Sequence, residues 1–202
     1  AGNGASKAGL EGVGRHGGNT YLSRQFYSPN STQRGEKGGG SRDNRTRVPL
    51  EVLEITHKMV RRFAAADFII GYRFSPEELE VPGIRFDDTM YLLEKLAERG
   101  IDYVHFSVGQ LLRPSIVDRD DPTPLITKYP AARTATLAKV PVIGVGGVLN
   151  KADAELALEK GFDLVAGGKA CIAYLVWADR YIINVQLELF INSTQREALN
   201  IP

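Results

Sequence analysis

Three stretches of this chain follow one grammar: a charged end, a glycine, an apolar residue, an acid, then a β-prone run. They are Lys7-Ala8-Gly9-Leu10-Glu11-Gly12-Val13, Glu98-Arg99-Gly100-Ile101-Asp102-Tyr103-Val104 and Glu159-Lys160-Gly161-Phe162-Asp163-Leu164-Val165. Glycine readily takes the left-handed conformation that stops a helix, and the run after it has strand character. Each stretch therefore predicts a helix-to-strand joint, and their recurrence predicts an α/β fold built on a parallel sheet.

The intervening segments fit that frame. Leu50, Leu53, Val60, Phe63 and Ala64 share a helical stripe, with Pro49 acceptable near its start. Met90, Leu93, Leu96 and Ala97 form a second stripe after Asp87 and Asp88, which suit an N-cap; Asn150 caps a third helix that runs to Gly161. Strands are expected at 10–16, 68–74, 101–108, 140–146 and 162–166. The run Val140-Pro141-Val142-Ile143-Gly144-Val145 reads as a strand buried on both faces. Two long polar stretches, 17–47 and 109–128, read as loops that follow the first and third strands. In parallel α/β proteins that is where sites lie.

Composition excludes several classes of function. Lys and Arg number 25 against 24 Asp and Glu, a net charge of +1, which gives no general electrostatic footprint for nucleic acid. No apolar run approaches the roughly 20 residues of a membrane span, and the opening residues lack a secretory pattern, so a cytoplasmic location is expected. A single cysteine, Cys171, excludes an intrachain disulfide and is expected to be a small buried apolar side chain. His16, His57 and His105 are scattered, so no metal site is expected.

His16, Asn19 and Tyr21 sit where the first strand gives way to its loop. A histidine and an asparagine there can converge on one acceptor oxygen, and a nearby phenol offers a proton; the same residues also suit a polar turn. Gly144-Val145-Gly146-Gly147 and Gly167-Gly168-Lys169 end two successive strands, where freed backbone N–H groups and a lysine can cradle a phosphate. Tight turns without a ligand are the alternative. Arg73 stands near the end of an apolar strand and should face an anion, an electron-rich group or a loop carboxylate. Gly12-Val13-Gly14-Arg15-His16-Gly17 has dinucleotide-motif spacing, but no helix is expected directly after it and no acid lies at the ribose-binding distance.

Taken together, the residues resemble the old yellow enzyme family of FMN-dependent NADH:flavin oxidoreductases, or ene-reductases. The pattern is carried by His16, Asn19, Tyr21, Leu22, Gln25, Phe26, Ser28, Pro29, Gly39, Gly40, Ser41, Asn44, Arg45 and Arg47. It continues through Gly71-Tyr72-Arg73-Phe74-Ser75-Pro76, Gly146-Gly147 and Gly168-Lys169. The resemblance implies a (β/α)8 TIM-barrel type with about five βα units, the fourth to eighth, in residues 1–202 as a single domain.

It further implies reduction of the C=C bond of α,β-unsaturated carbonyl or related activated alkenes, with FMN as cofactor and NADH or NADPH as reductant. His16 and Asn19 would bind the substrate oxygen and Tyr21 would protonate the α carbon. Arg73 would sit beside the flavin ring, and Gly146, Gly147, Gly168 and Lys169 would hold its phosphate. A non-catalytic phosphate- or nucleotide-binding partial barrel is the alternative function.

The chain departs from the family pattern at Glu36-Lys37-Gly38, at Lys169 in place of the usual arginine, and at Tyr174-Leu175-Val176-Trp177, which lacks an acid-Pro turn. The first three barrel strands have no counterpart. The chain is therefore expected to be the C-terminal part of a longer enzyme, with two open sheet edges covered by the N-terminal half of the barrel or by another chain. Residues 1–202 alone are expected to hold FMN no better than roughly micromolar.

Overall fold

The computed structural model describes residues 2–173. The departure at Tyr174–Trp177 lies outside them. The elements run α1 (Gly2–Lys7), β1 (Gly12–Gly17), α2 (Leu22–Tyr27), a 3-10 turn (Glu36–Gly38), α3 (Arg42–Phe63), β2 (Ile69–Phe74), α4 (Phe86–Ala97), β3 (Tyr103–Ser107), α5 (Leu125–Ala132), a 3-10 turn (Leu137–Lys139), β4 (Val142–Val145), α6 (Lys151–Glu159), β5 (Leu164–Val165) and α7 (Gly168–Ala173). The strands form one sheet in the order β1-β2-β3-β4-β5, every pair parallel. Each lies within its expected range except β1, which extends to Gly17.

The recurring joints work as the sequence suggests. Gly9, Gly100 and Gly161 have φ of +73°, +80° and +102°, the left-handed turn that ends a helix. The acids have a second role that spacing alone does not reveal. Asp102 Oδ2 accepts the N–H of Ile70 at 2.7 Å, and Asp163 Oδ2 accepts that of Val142 at 2.8 Å, so each acid pins the start of the neighbouring strand.

Strand alternation separates two faces. Ile70, Tyr72, Phe74, Val104, Phe106 and Val142 point to the outer face and are buried against Leu53 of α3, Leu93 and Leu96 of α4, and Tyr129 of α5. Phe106 anchors an aromatic group there, with Phe74 edge-on at 5.2 Å and Phe162 at 5.5 Å between ring centroids. Among the described residues no helix covers the inner face, and on it Ile69 is 46% exposed and Leu164 56% exposed. The run at 140–145 is thus covered on one face only among the described residues, with Ile143 and Val145 half-buried. Among the described residues, strands β1 and β5 each pair on one side only, as the two edges of the sheet.

Several expectations need correction. The stretch 17–47 is not one loop, because it contains α2 and the start of α3. Ser41 caps α3, its Oγ accepting the N–H of Asn44 at 3.2 Å, so Pro49 lies inside the helix. There it removes a backbone donor, while its carbonyl accepts Arg15 Nη1 at 3.0 Å. Arg85, not Asp87 or Asp88, is the N-cap of α4; Asp88 lies one turn in and accepts the Arg85 N–H at 3.1 Å. Helix α5 begins at Leu125, which shortens the second loop. Cys171 is exposed, because it lies on α7 beyond the last sheet pairing. Asn150 does cap α6, its Oδ1 accepting the Asp153 N–H at 3.0 Å. The residues of the dinucleotide-like spacing form strand β1 throughout, not a strand-to-helix turn.

One close approach fixes the floor of the inner face. A Cβ on Gly71 would meet the Tyr103 ring at 2.0 Å, and one on Gly14 would meet its hydroxyl at 2.8 Å. The ring therefore lies across two glycines that the sheet register places side by side. We expect Gly71→Ala to cost about 1–3 kcal/mol in chemical denaturation. In a Tyr103→Ala background the cost should largely vanish, because nothing then fills that space.

Candidate active site

The strand register sets His16 beside Arg73, Arg73 beside His105, and His105 beside Ile143, in one row on the inner face near the C-terminal strand ends. Arg73 donates from Nη2 to Ser107 Oγ at 3.0 Å, while its Nε is buried without a partner. His105 Nε2 is likewise buried and unpartnered. Burial, then the Arg73 charge, then His16, hold His105 down to about 4; burial and then Arg73 lower His16. Both imidazoles are therefore neutral near pH 7, and Arg73 is the cation of the row.

The loop after β1 orients the other donors. His16 Nδ1 accepts the Gly18 N–H at 3.4 Å, so the neutral ring carries its proton on Nε2. Asn19 sits at φ +50° and Thr20 at φ +60°, a left-handed pair that asparagine tolerates. The Asn19 N–H donates to Ser75 Oγ at 3.0 Å, and that hydroxyl donates to Asn19 Oδ1 at 3.0 Å. With Oδ1 engaged, Nδ2 is the group the amide presents to a ligand. Gly18 allows this contact, since a Cβ there would meet Ser75 Oγ at 2.7 Å. Tyr21 is 61% exposed, and its ring lies 4.9 Å from that of His16. His16, Asn19, Tyr21 and Arg73 thus gather at the ends of β1 and β2.

A cleft of about 440 Å³ opens beside them, lined by Asn19, Arg73, Ser107 and Arg113 among others. Its wall is braced by two buried carboxylates. Glu78 takes Arg24 Nε at 2.8 Å on one oxygen and the Ser28 hydroxyl and Ile84 N–H on the other. Glu77 takes the Ser115 hydroxyl at 2.7 Å and the Ile116 N–H at 3.0 Å. These contacts tie α2 and the loop after β3 to the loop after β2.

Of the glycine-rich turns, the one after β4 adjoins the cleft, because a Cβ on Gly147 would lie 3.8 Å from the carbonyl oxygen of Gly109, which lines it. Gly146 and Gly147 follow β4, and Gly168 and Lys169 open α7 after β5. Gly147 has φ +69°. A Cβ on Gly146 would meet the Leu111 backbone N at 2.8 Å, whereas one on Gly168 would meet nothing within 4 Å. Sequence reasoning missed Ser75, Ser107, Arg24, Glu77 and Glu78, and gave His105 no role beyond being one of three scattered histidines. Only the register, which aligns His105 with Arg73, singles it out.

Residues 1–188 match the family model of the NADH:flavin oxidoreductase / NADH oxidase family. The chain is 71% identical over 195 residues to an NADH:fumarate oxidoreductase of Klebsiella pneumoniae (strain 342), covering 96% of this chain and 21% of that protein. It is 52% identical over 200 residues to an NADH:acrylate oxidoreductase of Vibrio harveyi, covering 99% and 20%. Among solved structures, morphinone reductase in complex with tetrahydroNAD superposes with a TM-score of 0.71 at 24% identity, over 96% of this chain and 49% of that one. The chain thus spans about a fifth of those two relatives. The likeness to morphinone reductase is one of fold, and the five βα units here are of the (β/α)8 type.

The electrostatics can be checked by histidine NMR. We expect His105 to titrate near 4 and His16 below its ordinary value. Arg73→Gln should raise both, because it removes a neighbouring positive charge. Between the unfolded value of about 6.5 and the folded value near 4, the unfolded chain binds more protons at position 105. Stability should therefore fall as pH drops through that window, and His105→Gln should flatten the slope.

Proposed function

Because the chain belongs to the NADH:flavin oxidoreductase / NADH oxidase family, we propose that it forms part of an FMN-dependent enzyme. That enzyme oxidises NADH and reduces the C=C bond of an α,β-unsaturated carbonyl or carboxylate compound. The observation that carries this reading is Arg73: a strand-end guanidinium with a buried, unpartnered Nε, in a row with two neutral imidazoles on the open inner face. An electron-rich ring supplies the acceptor that Nε lacks, and His105 Nε2 offers a second unsatisfied position beside it. Bound FMN would accept electrons from NADH and deliver them to the alkene.

The chain's own residues divide the remaining work. Arg73 would hold the ring side of the cofactor, while Gly146, Gly147, Gly168 and Lys169, at the last two strand ends, would hold its phosphate. His16 Nε2–H and Asn19 Nδ2–H would grip the substrate oxygen, where negative charge develops as the double bond is reduced. Ser75 fixes which face of the Asn19 amide is presented. Tyr21 would donate its phenolic proton to the carbon α to that carbonyl.

The names of the two relatives support the substrate class, since fumarate and acrylate are both α,β-unsaturated carboxylates. On this reading the chain is a single C-terminal barrel portion. Its open inner face and edges are covered by further barrel strands, from the same polypeptide or another chain, and the reaction draws on cytoplasmic NADH.

Tyr21→Phe separates the two half-reactions. In the flavin-loaded full-length protein, we expect it to slow reoxidation by an enone or enoate about 10²-fold or more, the scale of losing a general acid. Flavin reduction by NADH should keep its rate in the same stopped-flow experiment. Equal slowing of both halves would remove Tyr21 from proton donation, and a full-length protein that carries no flavin would return the non-catalytic phosphate-binding reading.

A further inference from the structure

Arg113 lies on the loop between β3 and α5 and lines the same cleft as Asn19 and Arg73. Its Nε is buried and has no hydrogen-bond partner. The nearby buried carboxylates are already committed. Both oxygens of Glu78 accept, from Arg24 on one side and from Ser28 and Ile84 on the other. Both oxygens of Glu77 accept, from Ser115 and from Ile116. Glu80 also lines the cleft but is exposed at its rim.

Three guanidinium groups line the cleft: Arg24 is paired with Glu78, while Arg73 and Arg113 each keep a buried Nε without a partner, and the oxygens of Glu77 and Glu78 are in use. Burial and the charge of Arg24 disfavour the Arg113 cation while Glu77 favours it, so an added anion would relieve the cost of keeping it charged. A guanidinium edge matches a carboxylate or phosphate in shape as well as charge. At about 440 Å³ the space admits a small molecule or one end of a larger one.

We propose that the Arg113 side of the cleft is an oxyanion subsite, which takes a carboxylate or phosphate group on the molecule brought to the site. Ser115 and Ile116, tied to Glu77, hold the loop that carries Arg113 in place. The subsite deepens the reading above and rests on it for the identity of that molecule. The anion has two sources there: the carboxylate of the unsaturated acceptor, or the pyrophosphate of NADH.

Calorimetric titration of the full-length, flavin-loaded protein with succinate, inorganic pyrophosphate and neutral succinamide tests this directly. We expect Arg113→Gln to weaken succinate or pyrophosphate about tenfold or more, the scale of losing a hydrogen bond to a charged group. Succinamide should bind as before, and Arg113→Lys should recover part of the loss, since it restores charge without the fork. Weakening of succinate assigns the subsite to the acceptor's carboxylate, and weakening of pyrophosphate assigns it to NADH.

If neither anion weakens while the melting temperature is unchanged, or if succinamide weakens equally, the subsite is overturned. Should Arg113→Gln fail to fold, Arg113→Lys carries the test, and anion binding equal to that of the unaltered protein overturns it. Calorimetry reads anion binding with or without turnover. Failure of the flavin reading therefore shows as missing cofactor, and failure of the subsite as unchanged anion affinity.

Discussion

The hydrogen-bonded register of β1, β2 and β3 sets one guanidinium between two imidazoles on a sheet face that no helix among the described residues covers. Because Arg73 is the cation of that row, its field helps keep His16 and His105 neutral, and its own Nε is left without an acceptor. A neutral His16 whose Nδ1 already accepts from the Gly18 backbone can only donate from Nε2. The chemical character of the site thus follows from strand pairing at residues far apart in the chain.

Helix α2 and the stretches after β2 and β3 each place an apolar side chain in the core, Tyr27, Ile84 and Leu111, and buried charge joins the three to one another. Arg24 and Glu78 form an ion pair at 2.8 Å with further hydrogen bonds to both partners, and Glu77 bridges to the neighbouring loop. Such a pair adds little against a well-packed apolar alternative, yet removing one partner costs about 3–5 kcal/mol because the other is stranded. The geometry is therefore specific as well as stable, and it ties three loops around one cleft.

Much of this fold was legible in the sequence, because its joints are local. Gly9, Gly100 and Gly161 announce helix ends whatever surrounds them, and Asn150 with Asp153 announces a helix start. The start of α3 was harder to read. Pro49 suggests a beginning, while the true one depends on Ser41 and on Arg45 Nε reaching the Tyr27 carbonyl at 2.9 Å. Glu77 and Glu78 look like a solvated acidic pair until Arg24, more than fifty residues away, is folded against them. His16, Asn19, Tyr21 and Arg73 stood out by type and position, whereas Ser75 and His105 gain meaning only once strands are paired. The glycine turns before α6 and at α7 were visible as turns, but nothing in one dimension says that Gly147 lies against Gly109 at the cleft.

On the proposed function, the inner-face row would receive an electron-rich, anionic ring through Arg73. Fluorescence-quenching titration of FMN into the flavin-stripped full-length protein tests it most directly, with Arg73→Gln compared against the unaltered chain. Arg73→Gln should bind FMN at least about tenfold more weakly at unchanged melting temperature, the scale of one lost charge-assisted hydrogen bond. Equal affinity in the two proteins would contradict it.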